Sequence, residues 1–223
     1  MMDYQGDGLW KYTMELPASA KKFHYEYLVK SGEGIRREWG SPHSFSPGRN
    51  DGEYRLVDRW RDVPADMPFY SSAFIQGIFF RQHADSVVET IEPGTLTVKV
   101  DASQLRPDER LVMVGDCPEL GDWDVLKAPL LNDSAFPEWQ ITFDGKHLKF
   151  PFEYKFVIVR THQREVVAWE TGENRICREK PQNPSEAVVV SGLRFNGFES
   201  RWKGAGTAIP VFSLRTDYGF GIG

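Results

Sequence analysis

Hydrophobic and polar residues alternate over many short stretches of this chain, and the clearest example is FEYKFVIV at residues 152–159. Every second residue there is aromatic or aliphatic, and the aromatic and β-branched content is typical of a strand. A second short run, VVAW at 166–169, follows the polar residues 161–164. The pattern therefore predicts a β-hairpin over this region.

The same criteria predict strands throughout the chain, at 9–16, 22–30, 35–39, 53–57, 95–101, 111–114, 138–143 and 186–190. No stretch of ten or more residues keeps the 3.6-residue period of a helix. Turn residues recur roughly every 8–12 positions, which is typical of a sandwich or an open barrel. We therefore predict an all-β chain, with a domain boundary near Pro93 and Gly94.

An internal repeat is visible in the spacing of the aromatic residues. Fifteen positions separate Trp10 from Tyr25, and fifteen separate Trp139 from Tyr154. FHYEY surrounds the first tyrosine and FEYKF the second, and a further tryptophan follows by 14 and by 15 positions. The spacing predicts two copies of one β module in tandem. Only 9 residues precede Trp10, whereas Thr95 lies 44 residues before Trp139, so the first copy is short at its front. Either the natural chain begins earlier, which we expect, or the first module is a remnant.

Composition narrows the class of protein. The net charge of the 223 residues is −5, which gives no electrostatic footprint for nucleic acid. Two cysteines make neither a zinc site nor a disulfide framework, and the five histidines show no ligand spacing. The apolar stretch 69–80 is too short to span a bilayer, and the first residues do not resemble a signal peptide. We expect a soluble, cytoplasmic protein with reduced thiols, no metal or cofactor, and neither nucleic acid nor membrane as a partner.

Candidate chemistry gathers at the end of the predicted hairpin. Trp169, Glu170 and Asn174 lie within six residues, and Lys155 lies on the neighbouring arm. An indole can cover the apolar face of a pyranose while charged and amide groups meet its hydroxyls. The alternative, a core tryptophan beside surface polar residues, stays open from these residues alone.

Three elements of the second copy resemble a known family. Leu-Gly-Asp-Trp (120–123), Glu-Tyr-Lys (153–155) and the Trp-Glu…Asn-Arg run (169–175) are similar in order and spacing to the starch-binding domain, carbohydrate-binding module family 20. The resemblance covers about 95–200 and implies an immunoglobulin-like β-sandwich with two α-glucan sites.

The resemblance also implies roles for single residues. At the first site Trp123 and Trp169 would be the stacking platforms, and Lys155, Glu170 and Asn174 would bond the sugar hydroxyls. Trp139, with Phe136 near it, stands at the position of the second site's tryptophan. The flanking tyrosines of the family are not evident there, so Trp139 as a core residue is the alternative.

The first copy departs from the family pattern. Glu26 replaces the lysine, Gly40 replaces the glutamate, and Ser44 stands at the asparagine offset. Trp39 and His43 remain as possible sugar contacts, but a structural role is the favoured interpretation of this copy.

The C-terminal run 202–223 resembles the start of the catalytic domain of glycoside hydrolase family 77, the 4-α-glucanotransferases. The resemblance implies that the modules hold this enzyme's (β/α)₈ barrel close to an α-1,4-glucan or maltooligosaccharide. A barrel needs all eight strands, and retaining transfer needs two carboxylates that later strands supply. We therefore expect no catalysis by this chain, and a tail, 204–223, that is disordered or docked on a module.

The resulting domain prediction has four parts: a first, incomplete module with the apolar segment (1–80), a linker (81–94), a second module (95–200) and the beginning of the catalytic domain (201–223). The main functional prediction is non-catalytic α-glucan binding. The alternatives are a structural or interaction role, and an enzyme in its own right, for which no catalytic pair is evident.

Overall fold

The computed structural model describes residues 2–17, 21–32, 34–40, 42–48, 52–61, 90–197 and 209–215. These residues form strands, loops and one 3₁₀ turn, Pro118–Leu120, and no α-helix, which confirms the all-β prediction for this part of the chain. The strands are β1 Asp3–Gly6, β2 Leu9–Glu15, β3 Phe23–Tyr25, β4 Leu28–Ser31, β5 Gly34–Arg37, β6 His43–Phe45, β7 Glu53–Asp58, β8 Thr95–Asp101, β9 Glu109–Gly115, β10 Asn132–Ala135, β11 Glu138–Asp144, β12 Phe152–Arg160, β13 Val166–Trp169, β14 Arg175–Cys177, β15 Glu186–Arg194 and β16 Ile209–Arg215.

Residues 95–197 form a sandwich of two sheets. One sheet contains β15, β8, β11 and β10 in that order, and the other is centred on β12. In the second sheet β9 pairs with one edge of β12, while β13 and β14 share its other edge. The predicted hairpin is therefore confirmed as the antiparallel pair β12–β13.

The alternation of residues along β12 decides which side of its sheet meets the core. Phe152, Tyr154 and Phe156 are buried against residues of the facing sheet, among them Leu96, Val98 and Val188. The intervening residues of β12, including Lys155 and Val157, point to the opposite, outer face, because successive strand residues alternate between faces. This outer face carries the candidate site.

The N-terminal strands extend the first sheet of the sandwich. β7 pairs in parallel with β15, and the sheet continues through β16 and β2 to β1. Among the described residues these strands do not close a separate second sandwich, which differs from the expectation of two tandem sandwich modules. The long strand predicted over 22–30 is divided into β3 and β4, each paired with its own partner.

Two further predicted segments are the region between the modules and the C-terminal tail. The apolar stretch 69–80 lies outside the described residues, as does most of the predicted linker 81–94. Residues 209–215, part of the tail expected to be disordered or docked on a module, form β16 between β2 and β7. The structure thus places this segment on the sheet of the module, and it shows no barrel in the part of the chain that it describes.

A buried polar network joins the N-terminal strands to the sandwich. The hydroxyls of Tyr25 and Tyr27 each donate to Asp58 at 2.7 Å, and the Ser191 hydroxyl donates to the other oxygen of the same carboxylate. His43 Nδ1 lies 3.1 Å from that serine oxygen. Asp58, His43 and Ser191 are all buried, so this network stabilises the contact of β7 with β15 only while its members stay paired.

Candidate carbohydrate-binding site

Trp169 lies at the end of β13 on the outer face of the second sheet. Its Cα is paired with that of Val157 in β12, and Val157 is paired in turn with Val112 in β9. Directly opposed residues of antiparallel strands share a face, so the indole lies on the same side as Val157. The side chain is 42% exposed, and this exposure makes it available as a stacking surface.

Trp123 reaches the same outer face from the loop that follows β9. Its amide donates to the carbonyl of Gly115 at 2.7 Å, and its φ of 64° is in the left-handed region. Gly121 makes the preceding turn possible with a φ of 81°, because a Cβ there would lie 2.7 Å from the carbonyl oxygen of Asp124. The Trp123 ring packs on the small outer-face cluster that includes Val157. The structure therefore brings both predicted platforms to one face.

Lys155 supports the loop between β13 and β14. Its ammonium donates to the carbonyl oxygens of Glu170 at 3.2 Å, Gly172 at 2.6 Å and Glu173 at 3.3 Å. A lysine ammonium has three donors, and the three carbonyls match that number. In this arrangement the ammonium of Lys155 holds the loop. A sugar hydroxyl that binds Lys155 would have to share or replace one of these contacts.

Glu170 does not reach the outer face. It is 5% exposed, and Arg175 donates to its two carboxylate oxygens at 2.9 and 2.5 Å. The backbone amide of Asn196 donates to one of these oxygens, Oε1, at 3.2 Å. The physical reason is the alternation of the strand: Trp169 points outward, so the next residue points inward. This placement does not support the expectation that the carboxylate bonds sugar hydroxyls.

Asn174 is exposed at the rim of the outer face. Its amide nitrogen donates to the Glu153 carboxylate at 2.8 Å, and Glu153 lies two residues before Lys155 on the same face of β12. Sequence reasoning gave Glu153 no role, although it is part of the Glu-Tyr-Lys element. Nor did it find Arg175 and Asn196, and only Arg175 had a signal, as the last residue of the Trp-Glu…Asn-Arg run.

The predicted second site is not formed as an exposed platform. Trp139 is fully buried, and its indole donates to the carbonyl of Ala102 at 3.3 Å. Phe136 is partly buried and packs edge-to-face on it, with ring centroids 6.5 Å apart. Because the ring of Trp139 has no exposed face, it cannot stack on a sugar here, and the core alternative describes its position.

The possible sugar contacts of the first copy are likewise mostly internal. His43 is buried between Ser191 and Glu38, with Nε2 2.9 Å from the glutamate oxygen. Trp39 is partly buried beside the backbone of Arg61. These positions agree with a structural role for the segment.

Burial sets the titration of several groups near the site. It raises the pKa of the Tyr154 hydroxyl, although Arg175 opposes that shift. Cys117 and Cys177 are buried free thiols, and burial raises the pKa of each to about 11. Among the described residues no group of three or more histidine, cysteine or acidic side chains is placed to hold a metal ion. No helix in this part of the structure is long and apolar enough to cross a membrane.

Part of this chain is similar to a known family and to a known protein. Residues 95–188 match the family model of the starch binding domain, which confirms the resemblance found from the motifs. One relative is 4-alpha-glucanotransferase DPE2 of Oryza sativa subsp. japonica, which is 28% identical to this chain over 211 residues. The match spans 88% of this chain but 21% of the rice protein, so the chain corresponds to about a fifth of its relative.

Two solved structures are similar to part of this chain. The family 20 module of a maltotetraose-forming amylase from Pseudomonas saccharophila is 19% identical, with a TM-score of 0.36, and the match covers 42% of this chain and 98% of that module. The glucoamylase of Hormoconis resinae is 19% identical with a TM-score of 0.38, covering 50% of this chain and 19% of that protein.

Proposed function

We propose that residues 95–197 bind α-1,4-glucan chains, such as starch, glycogen or maltooligosaccharides, on the outer face of the second sheet. The observation that carries this proposal is the placement of Trp123 and Trp169 on one face: Trp169 is paired with Val157 of β12, and Trp123 packs on the cluster that includes Val157. The match of residues 95–188 to the starch binding domain supports it independently.

The binding mechanism is stacking supported by polar contacts. Two indoles on one face present flat apolar surfaces to successive pyranose rings, and Asn174 at the rim offers an amide to their hydroxyls. By analogy with other aromatic platforms, removing one of these rings costs about 1–3 kcal/mol. A single site of this kind has a Kd in the micromolar to millimolar range, about −8 to −4 kcal/mol.

We further propose that this region holds a catalytic domain close to its polymer and has no transferase activity of its own. The support is the similarity to the rice 4-alpha-glucanotransferase, of which this chain matches only about a fifth. An assay of maltose disproportionation with the purified chain tests the second part. Glucose release above the background of a buffer control contradicts it.

Retention on starch granules tests the binding proposal, with cellulose as the matrix that lacks α-linkages. Trp123→Ala should lose retention, because it removes one platform from the outer face. Leu126→Ala is the matched control, since it removes a 65% exposed apolar side chain from the same loop but no flat ring. Equal retention of the parent on cellulose, or loss in both variants, contradicts recognition through the ring.

A structural role for the N-terminal strands is the second candidate function. The specific observation is the buried network in which Asp58 and His43 meet Ser191 of β15. It is reinforced by Lys99 of β8, whose ammonium donates to the carbonyl of Ser44 at 3.0 Å. We propose that these strands pack on the sandwich and organise the enzyme of which it is part. We also propose that they do not form a second sugar site.

A further inference from the structure

The loop that follows Trp169 is fixed by one buried carboxylate. Glu170 accepts hydrogen bonds from Arg175, from the amide of Asn196 and, at 3.4 Å, from the amide of Phe156. These donors belong to β14, to the turn after β15 and to β12. A single side chain therefore ties together three segments at the base of the exposed indole.

The partners of this carboxylate are themselves anchored. Arg175 also donates to the carbonyl oxygens of Arg194 at 2.9 Å and Gly197 at 3.3 Å. The side-chain oxygen of Asn196 accepts the amide of Thr171 at 2.8 Å. The loop is thus held from the inner side by Glu170 and its partners, and from the outer side by Lys155.

The same arrangement occurs a second time, around Glu38. The amide of Glu38 donates to the carbonyl of Tyr27 at 3.1 Å, as the amide of Glu170 donates to that of Phe156 at 3.0 Å. The Glu38 carboxylate accepts from His43 at 2.9 Å and from Arg61 at 3.1 Å.

Strand register extends the equivalence. His43 is paired with Tyr25 in β6 and β3, and Arg175 is paired with Tyr154 in β14 and β12. Glu38, and not Gly40 as the sequence spacing indicated, is therefore the counterpart of Glu170. The residue before it is Arg37 in place of a tryptophan.

Comparison of Glu38 with Glu170 separates the buried hydrogen bonds of the carboxylate from the tryptophan platform beside it. Around Glu38 the carboxylate keeps its buried hydrogen bonds although no tryptophan precedes it. The buried contacts are thus independent of a sugar platform. A carboxylate that contacts sugar directly needs exposed oxygens. Glu170 is 5% exposed, and both of its oxygens accept hydrogen bonds from Arg175.

We infer that Glu170 is a positioning residue of the glucan site: it holds the Trp169 indole and the loop to Asn174 in the binding geometry without contacting sugar. This inference rests on the proposed function for its effect on affinity, but its effect on the indole exists without any ligand. Glu170→Gln keeps the shape of the side chain and places an amide donor against the donors of Arg175, so the loop loses its fixed conformation.

Two measurements on the full chain test the inference. The first is the Kd for maltoheptaose by calorimetry. The second is the indole N–H signal of Trp169 in a ¹H–¹⁵N correlation spectrum without sugar, assigned with Trp169→Phe. Glu170→Gln should weaken binding by about tenfold and should shift or broaden the indole signal.

Two variants act as matched controls. Glu173→Gln removes the same charge from the same loop at an exposed position, and Glu38→Gln removes the equivalent buried carboxylate in the first copy. Both should leave the Kd and the Trp169 signal unchanged.

Loss of affinity in Glu170→Gln with an unchanged indole signal means that the carboxylate touches sugar, and it overturns the inference. No change in either measurement overturns it as well. If the wild-type chain binds no glucan, the proposed function fails, and the indole signal alone decides: a change supports positioning and no change refutes it.

A second variant covers the case in which Glu170→Gln does not fold. Asn196→Gly keeps the positive φ of 57° without strain and removes the side chain that accepts the Thr171 amide. It should move the Trp169 signal in the same way, and an unmoved signal overturns the inference.

Discussion

Gly192 is the position where one added methyl group tests how closely the N-terminal strands pack on the sandwich. It lies in β15 with a φ of +76°, where the ladder to β8 is irregular. A Cβ at this position would lie 2.3 Å from the carbonyl oxygen and 2.9 Å from the amide nitrogen of Arg59. Both are backbone atoms, so no side-chain rotation can relieve the contact.

Two costs contribute to the effect of Gly192→Ala. An alanine in the left-handed region costs about 1–2 kcal/mol. Forcing extra volume into a packed contact costs about 1–3 kcal/mol. We therefore expect the free energy of unfolding to fall by about 2–5 kcal/mol, measured by urea denaturation.

Gly32→Ala is the control for this experiment. No atom lies within 4 Å of the Cβ that it would add, so its effect should stay within about 0.5 kcal/mol of the wild type. If Gly192→Ala also changes the free energy of unfolding by less than about 0.5 kcal/mol, the close approach of β15 to Arg59 is refuted.

Three further predictions follow from buried groups. Trp139→Ala should lower the free energy of unfolding by about 3–5 kcal/mol, because the ring is fully buried; a loss below about 1 kcal/mol in urea denaturation contradicts its core position. Burial raises the pKa of the Glu38 carboxyl, but hydrogen bonds from His43 and Arg61 outweigh this and hold that pKa below its ordinary value of 4.5. A lowered folded-state pKa stabilises the fold above the unfolded pKa, and the stabilisation is lost as the pH falls through the folded pKa. Urea denaturation from neutral to acid pH should therefore show a steeper loss of stability in the wild type than in Glu38→Gln, and parallel curves refute the contribution. The Cys117 and Cys177 thiols, with pKa values of about 11, should react with a thiol reagent at neutral pH only after unfolding in urea; rapid reaction of the folded chain contradicts their burial.

The local structure of the sandwich was predictable because it depends on neighbouring residues. The alternation in β12 gave its buried and exposed faces, and the polar residues 161–164 marked its turn to β13. Placing Trp169 on the outer face also implied that Glu170 points inward. The resemblance to a family implied a sugar contact for this carboxylate, whereas the alternation of the strand places its side chain inward.

The burial of Trp139 was harder to predict from the sequence. Tryptophan is common both in cores and on binding surfaces, so its type does not reveal its side of the sheet. Trp139 is buried because the register of β11 against β8 pairs it with the buried Val100. Local periodicity does not specify the register between strands that are distant in sequence.

The arrangement of the N-terminal strands was the least predictable. The pairing of β7 with β15 joins residues more than 130 positions apart, and no local pattern specifies it. The first copy also divides its long strand into β3 and β4, and Glu38 lies 13 positions after Tyr25 whereas Glu170 lies 16 after Tyr154. Placing Trp39 opposite Trp169 therefore led to Gly40, although the backbone contact of Glu170 with Phe156 is matched by that of Glu38 with Tyr27.

Calorimetric titration with β-cyclodextrin is the most direct test of the central claim, that α-glucan binds on the face of Trp123 and Trp169. The parent chain, Trp169→Ala and Trp10→Ala should be compared. Trp10 is 38% exposed and Trp169 is 42% exposed, so each variant removes a similar indole, but Trp10 belongs to β2 in the N-terminal segment.

We expect the parent and Trp10→Ala to bind with the same Kd, and Trp169→Ala to bind at least about tenfold more weakly, a loss of about 1.4 kcal/mol. A folded parent that gives no heat, or a Trp169→Ala variant that binds as tightly as the parent, would contradict the account.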